Sequence, residues 1–247
     1  MPSLSTIEES IEGLYSTFAV YPLPGYTDPC THCHSQDDEA KLHSASLRNL
    51  GVEELRDYAW DAMLVWGDDK IFRHFLPRLF ELYITTEDAA SAFVDPEILF
   101  AKLAYAGWRQ WPQVEQVAVE RFLYAFWHHV LSQMPGPFPT FTDVESSLCA
   151  MARAEDTLAG YFAVWLDEES LTASLALSSF ILTSAVTLEN DSGRNAFWDR
   201  RDVQYAQVKT WIKTTPVTDT LESSIRNEAW AEYRSEFEAA ASMLAHN

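Results

Sequence analysis

The sequence predicts an all-α protein, with antiparallel helical hairpins stacked as a short, irregular, HEAT-like α-solenoid of about ten helices. Three observations predict it. Apolar residues recur at i, i+3 and i+4 in window after window, the period of one buried helix face. Start and stop residues bracket those windows. No β-branched run alternates with polar residues between turns, and 8 glycines in 247 residues suit helices better than a turn-rich β fold.

In chain order, Thr6–Phe18 carries the stripe Ile7, Ile11, Leu14, Tyr15 and Phe18, capped by Ser5 or Thr6. A loop over 21–36 holds three prolines and a Cys/His cluster, and at most a short helix follows over 37–43. The chain is organised around Glu53–Leu82, read as an αα-hairpin. Its first helix buries Leu55, Tyr58, Ala59, Ala62, Met63 and Trp66 and stops at Gly67. Asp68 or Asp69 caps the second, which buries Ile71, Phe72, Phe75, Leu79, Phe80 and Leu82. Pro77 lacks an N–H and crowds the carbonyl four residues back, so it predicts a kink there or a break into two short helices.

The stretch 85–94 reads as a polar connection. Asp95-Pro96-Glu97 then starts a helix with a capping carboxylate and a proline at the first position, and Gly107 ends it. Trp111-Pro112 leads into a long helix to about Gln133, with Val114, Val117, Ala118, Phe122, Ala125 and Phe126 on its apolar side. Helices follow over 144–153, 156–165, 170–188 and 202–213, with a polar loop at 189–195. Pro216 reads as a break. The last helix is expected from Asp219, with Glu222 completing a capping box and Leu221, Ile225, Ala229, Tyr233 and Phe237 as its stripe. The helix pairs recur at about 40 residues, the range of HEAT-like repeats, without a shared residue signature. A single helical domain over 1–247 is expected. The proline-rich stretch 134–141, MPGPFPTF, is the candidate sub-boundary.

Composition excludes several functions. Lys plus Arg is 17 against 37 for Asp plus Glu, a formal net charge of −20. Binding to nucleic acid or to an anionic membrane surface needs clustered Lys and Arg, so neither is expected. The charge serves solubility or steers in a basic partner. The uncharged run Leu171–Leu188 reaches transmembrane length, but seven of its 18 residues are Ser or Thr, which suits a buried central helix. The first residues lack a basic stretch followed by an apolar one. With three cysteines, an odd count, this predicts a cytoplasmic protein.

Cys30-Thr31-His32-Cys33-His34 is the motif with the most chemistry in it. It matches C-x-x-C-H, the c-type haem attachment pattern, with His34 as axial ligand, although that chemistry belongs outside the cytoplasm. Cys30 and Cys33 also have the spacing of a first zinc-ligand pair. Two of His32, His34, His43 and a distant His74 would complete the four ligands that Zn²⁺ prefers. A redox dithiol wants a helix N-terminus in an α/β setting, which the sequence does not offer. The plain alternative is a loop with two free thiols. Cys149, among Leu148, Ala150 and Met151, is expected to be buried and inert.

Elsewhere the plain reading prevails. Arg73, His74 and Arg78 flank Pro77 and read as ion-pair partners, not as an anion site. Asp57, Asp61, Asp68 and Asp69 could hold a hard cation, yet on an acidic protein they read as a solvated face. No G-x-S-x-G, Walker lysine or G-x-G-x-x-G is present, and no catalytic residue is assigned.

The runs LRNLGVEELRDYAWDAMLVWGDDKIFRHFLPRLFEL, KLAYAGWRQWP and NAFWDRRDVQYAQVKTWI resemble a family of uncharacterised bacterial proteins, over nearly the whole chain. The resemblance implies a bacterial, soluble, helical protein and no mechanism. Two readings of function follow. One is a non-catalytic module binding a protein partner, a basic one on grounds of charge. An acidic immunity or inhibitor protein covering a cationic toxin is one version of it. The other is a zinc protein, enzymatic or sensory, built on the Cys30/Cys33 loop.

Overall fold

The computed structural model describes residues 6–134, 144–191 and 194–245. Among the described residues the protein is all-helical, with thirteen α-helices, four short 3-10 turns and no strand beyond isolated bridges. It forms two compact units, 1–125 and 126–247, the division falling inside the seventh helix. The proline-rich stretch lies outside the described residues, apart from Met134.

The first unit contains α1 (Ile7–Phe18), α2 (Gln36–Leu42), α3 (Val52–Asp61), α4 (Asp69–Thr85), α5 (Ala89–Ala92), α6 (Pro96–Tyr105) and the start of α7 (Gln113–Ser132). α1 begins at Ile7, one residue after the expected start, with Thr6 as its cap. The Thr6 hydroxyl accepts from Glu9 N–H, and the Glu9 carboxylate accepts from Thr6 N–H. Its whole predicted stripe is buried, and α1 packs on α4. The Asp68 carboxylate caps α4, accepting from Lys70 and Ile71 N–H at 3.0 Å each.

Pro77 does not split α4, which runs through it for 17 residues. Proline inside a helix costs about 3 kcal/mol. Phe72, Phe75, Leu76, Leu79 and Phe80 are at most 1% exposed on the same helix, and each buried side chain of this size contributes about 1.5–3 kcal/mol. Packing outweighs the single missing bond.

Four other expectations change in this unit. α3 ends at Asp61, five residues before Trp66, and Met63 is only half-buried. The stretch 85–94 is not wholly irregular, because Asp88 caps the one-turn helix α5 and accepts from Ser91 N–H. Asp95 makes no side-chain cap on α6, and burial raises its carboxyl pKa. Val114 is exposed although α7 buries Ala118, Phe122 and Ala125, because the buried stripe starts a turn later.

The second unit continues α7 and adds α8 (Val144–Ala154), α9 (Ala159–Asp167), α10 (Leu171–Asn190), α11 (Asp202–Trp211), α12 (Thr215–Arg226) and α13 (Arg234–Ala245). α10 packs on α12 and α13. Its hydroxyls are absorbed locally: Ser178 donates to Ser174 carbonyl at 3.1 Å and Thr183 to Ser179 carbonyl at 2.8 Å. No helix of the described residues is long and apolar enough to cross a membrane. Trp165 anchors the unit, its indole donating to Ala173 carbonyl at 3.0 Å and its ring lying 5.3 Å from Trp127 and 5.1 Å from Trp211.

Pro216 lies in the first turn of α12 and does not break it, because proline fits a first turn whose N–H groups are unpaired anyway. The expected single helix from Asp219 to Phe237 is interrupted by a 3-10 segment at 228–233. There the Asn227 side chain accepts from Ala229 N–H and Arg234 donates to Ile225 carbonyl, giving the backbone other partners than a continuous helix.

Candidate functional site

The cysteine loop is strapped to the α3–α4 connection. Buried Glu39 on α2 accepts from Thr27 N–H at 2.7 Å and from the Thr27 hydroxyl. The Thr27 hydroxyl oxygen in turn accepts from the Trp66 indole at 2.7 Å. Cys30 N–H donates to Val65 carbonyl at 2.8 Å, and an antiparallel bridge joins Pro29 to Trp66. Gly67 has φ +70, and a Cβ there would stand 3.2 Å from Thr27 carbonyl, so the strap needs glycine at that point. Burial raises the Glu39 carboxyl pKa, but the Thr27 bonds and His43 outweigh it and the net shift is downward.

Within the loop, Cys33 N–H and His34 N–H both donate to Cys30 carbonyl at 2.9 Å. The chain therefore turns back at the C-x-x-C and brings the two thiols together. Cys30 is half-buried and Cys33 exposed. The backbone amide of His32, then the thiol and backbone amide of Cys33, hold the Cys30 pKa below the ordinary thiol value. Its hydrogen bond to Cys30 raises the Cys33 pKa, and burial and the charges of Cys30 and Asp61 add to this.

The histidines are placed otherwise. His32 is exposed. The His34 ring lies 4.2 Å from the Trp66 ring, with Nε2 3.0 Å from Asp61 Oδ2. His43 Nε2 sits 3.1 Å from Glu39, and His74 Nδ1 donates to Tyr21 carbonyl at 2.7 Å. Among the described residues no three His, Cys, Asp or Glu side chains are gathered to hold a metal ion. The structure thus brings Cys30 to Cys33 and directs His34 to Trp66 and Asp61. Asp57, Asp61, Asp68 and Asp69 form no cation site either.

The sequence did not point to the turn at 62–66. Met63 takes φ +63, a costly conformation for a side chain with a Cβ, and donates its N–H to Trp66 carbonyl at 2.9 Å. Leu64 and Val65 N–H donate to Asp61 carbonyl. Trp66 goes inward to 2% exposure, while Leu64 stands 59% exposed and Val65 37%. The turn is flanked in the chain by half-exposed Asp61 and exposed Asp68, and Gly67 N–H donates to the carbonyl of exposed Asp28. The helical period had assigned this segment to α3. The left-handed residue that ends α3 is a methionine, which carries no turn signal.

A cleft of about 490 Å³ lies along α1 and α4, lined by Tyr15, Tyr21, Arg48, His74 and Pro77 among others. Burial lowers the His74 pKa, and its bond to a carbonyl puts the proton on Nδ1. Arg73 does not enter the cleft as an anion ligand. It bonds Asp69 at 2.7 Å and Glu115 at 3.2 Å and lies 4.3 Å from the Trp111 ring. Arg78 bonds Glu81 and Leu50 carbonyl.

Fold and site define an all-helical protein with a dithiol loop fastened to an exposed apolar turn. No family model, curated protein or solved structure matches the chain. No residue role is carried over from a relative, and the chemistry rests on the geometry above.

Proposed function

We propose that the protein is a non-catalytic binding module that takes a basic segment of a partner protein on the turn at 62–66. One observation carries this reading. A backbone held in a costly conformation at Met63 presents Leu64 and Val65 to solvent, on a turn flanked in the chain by Asp61 and Asp68 and bonded through Gly67 N–H to Asp28 carbonyl. Apolar contact supplies the anchor. The neighbouring aspartates, within a chain of net charge −20, select positive charge and steer it in. A cationic toxin, with this chain as its inhibitor, is one partner of this chemistry.

Selection of displayed peptides on the full chain tests the reading. The expected winners carry Lys or Arg beside an apolar residue. Leu64→Ser with Val65→Ser should weaken their binding about tenfold or more, the value of one or two buried apolar side chains. Val114→Ser, equally exposed elsewhere, should leave it unchanged. Equal loss in both variants, or winners without basic residues, would sink the proposal.

A further inference from the structure

We propose that Cys30 and Cys33 form a redox-active dithiol, which closes reversibly to an intramolecular disulfide by exchange with a low-molecular-weight disulfide. The inference stands apart from the partner reading and rests on the loop alone. The bond from Cys33 N–H to Cys30 carbonyl closes a four-residue turn, and such turns hold their end Cα atoms within about 7 Å. A disulfide needs Cα atoms about 4.4–6.8 Å apart, so the bond forms without rebuilding the backbone. Each thiol shifts the pKa of the other, as neighbouring groups do. Cys33 is open to solvent, Cys30 partly so, and Cys149 is fully buried. The strap fixes the loop from both sides, through Cys30 N–H on Val65 and the His34 ring on Trp66.

His32 and Cys33 N–H groups favour the thiolate of Cys30, which makes Cys30 the attacking group. Its proton leaves to solvent and its sulfur attacks one sulfur of the small disulfide. That S–S bond breaks, and its electron pair leaves with the first small thiolate. Cys33 then loses its proton to solvent and attacks Cys30 Sγ, expelling the second small thiolate. Two protein thiols are oxidised to one disulfide, and one small disulfide is reduced to two thiols that take up the two protons. The His34 ring is engaged by Trp66 and Asp61 and is not needed in the exchange.

The test titrates the full chain with glutathione and glutathione disulfide at a series of ratios, traps free thiols by alkylation after denaturation, and reads the mass of the peptide holding residues 30–33. The expected product has lost two hydrogens, with Cys30 linked to Cys33 and Cys149 alkylated, and dithiothreitol reverses it. Cys33→Ser should stop at the mixed disulfide and hold one glutathione on Cys30. If that variant fails to fold by circular dichroism, the wild-type peptide map decides alone. Three results would overturn the proposal. Both thiols could stay free at every ratio. The wild type could stop at a glutathione adduct. Protein purified under reducing conditions could carry about one zinc per chain, closed to oxidation until a chelator removes it.

Discussion

Lys102 shows how one residue can end a helix. The residue is 3% exposed and its ammonium donates to Trp60 carbonyl at 2.6 Å and Ala62 carbonyl at 2.9 Å, closing the last turn of α3 before the chain swings out at Met63. Burial lowers its pKa from 10.5 to about 8, against the opposing effect of Asp61. Below pH 8 the lysine is charged in both folded and unfolded chains, and folding carries the full desolvation cost. Between pH 8 and 10.5 the unfolded chain still binds the proton and the folded chain does not, so stability rises with pH. Buried tyrosines such as Tyr58 work against this above pH 10, because burial raises their pKa and the unfolded chain ionises first. The clean window is pH 8–10. There the melting temperature of the wild type should rise relative to that of Lys102→Met. A pH-independent difference between the two would refute the assignment.

At the scale of elements, α4 is the organising helix of the first unit. It packs on α1, α3 and α5, and its side chains carry the Tyr58–Phe75 and Phe80–Phe122 ring contacts. Leu79 is fully buried on that helix, two residues past Pro77. Leu79→Ala should cost about 2–5 kcal/mol in denaturant unfolding. A cost below about 0.5 kcal/mol would mean that the helix relaxes at Pro77 and fills the space. The periodicity of α4 was legible because its apolar face is continuous. The survival of Pro77 was not, because it depends on partners that come from α1, α3 and α7.

At the scale of the molecule, the excess of acid is the property most open to measurement. Mobile ions screen charges beyond about 10 Å at 0.1 M salt and about 3 Å at 1 M. Association of a selected basic peptide should therefore slow about tenfold or more between those salts. The Leu64→Ser/Val65→Ser loss should persist in high salt, since apolar burial is not screened. Salt-independent association would remove the steering half of the proposal and leave the apolar half.

The sequence by itself determined the helical class, most helix starts and most buried faces. Those follow from local quantities: the 3.6-residue period, a capping hydroxyl or carboxylate such as Thr6 or Asp68, and proline or glycine at fixed offsets. It also marked Cys30 and Cys33, because their spacing is a property of the chain. Tertiary structure alone decided what surrounds them. The sequence reads His34 as a metal or haem ligand, and the fold sets its ring against Trp66 with Nε2 beside Asp61. Trp66 reads as the end of α3 by period. Yet Lys102, 36 residues further on, takes the α3 carbonyls, and Thr27, 39 residues earlier, takes the Trp66 indole. A helix end set by partners that distant leaves no mark in a local window. That is why the exposed turn at 62–66 appears only once the chain is folded.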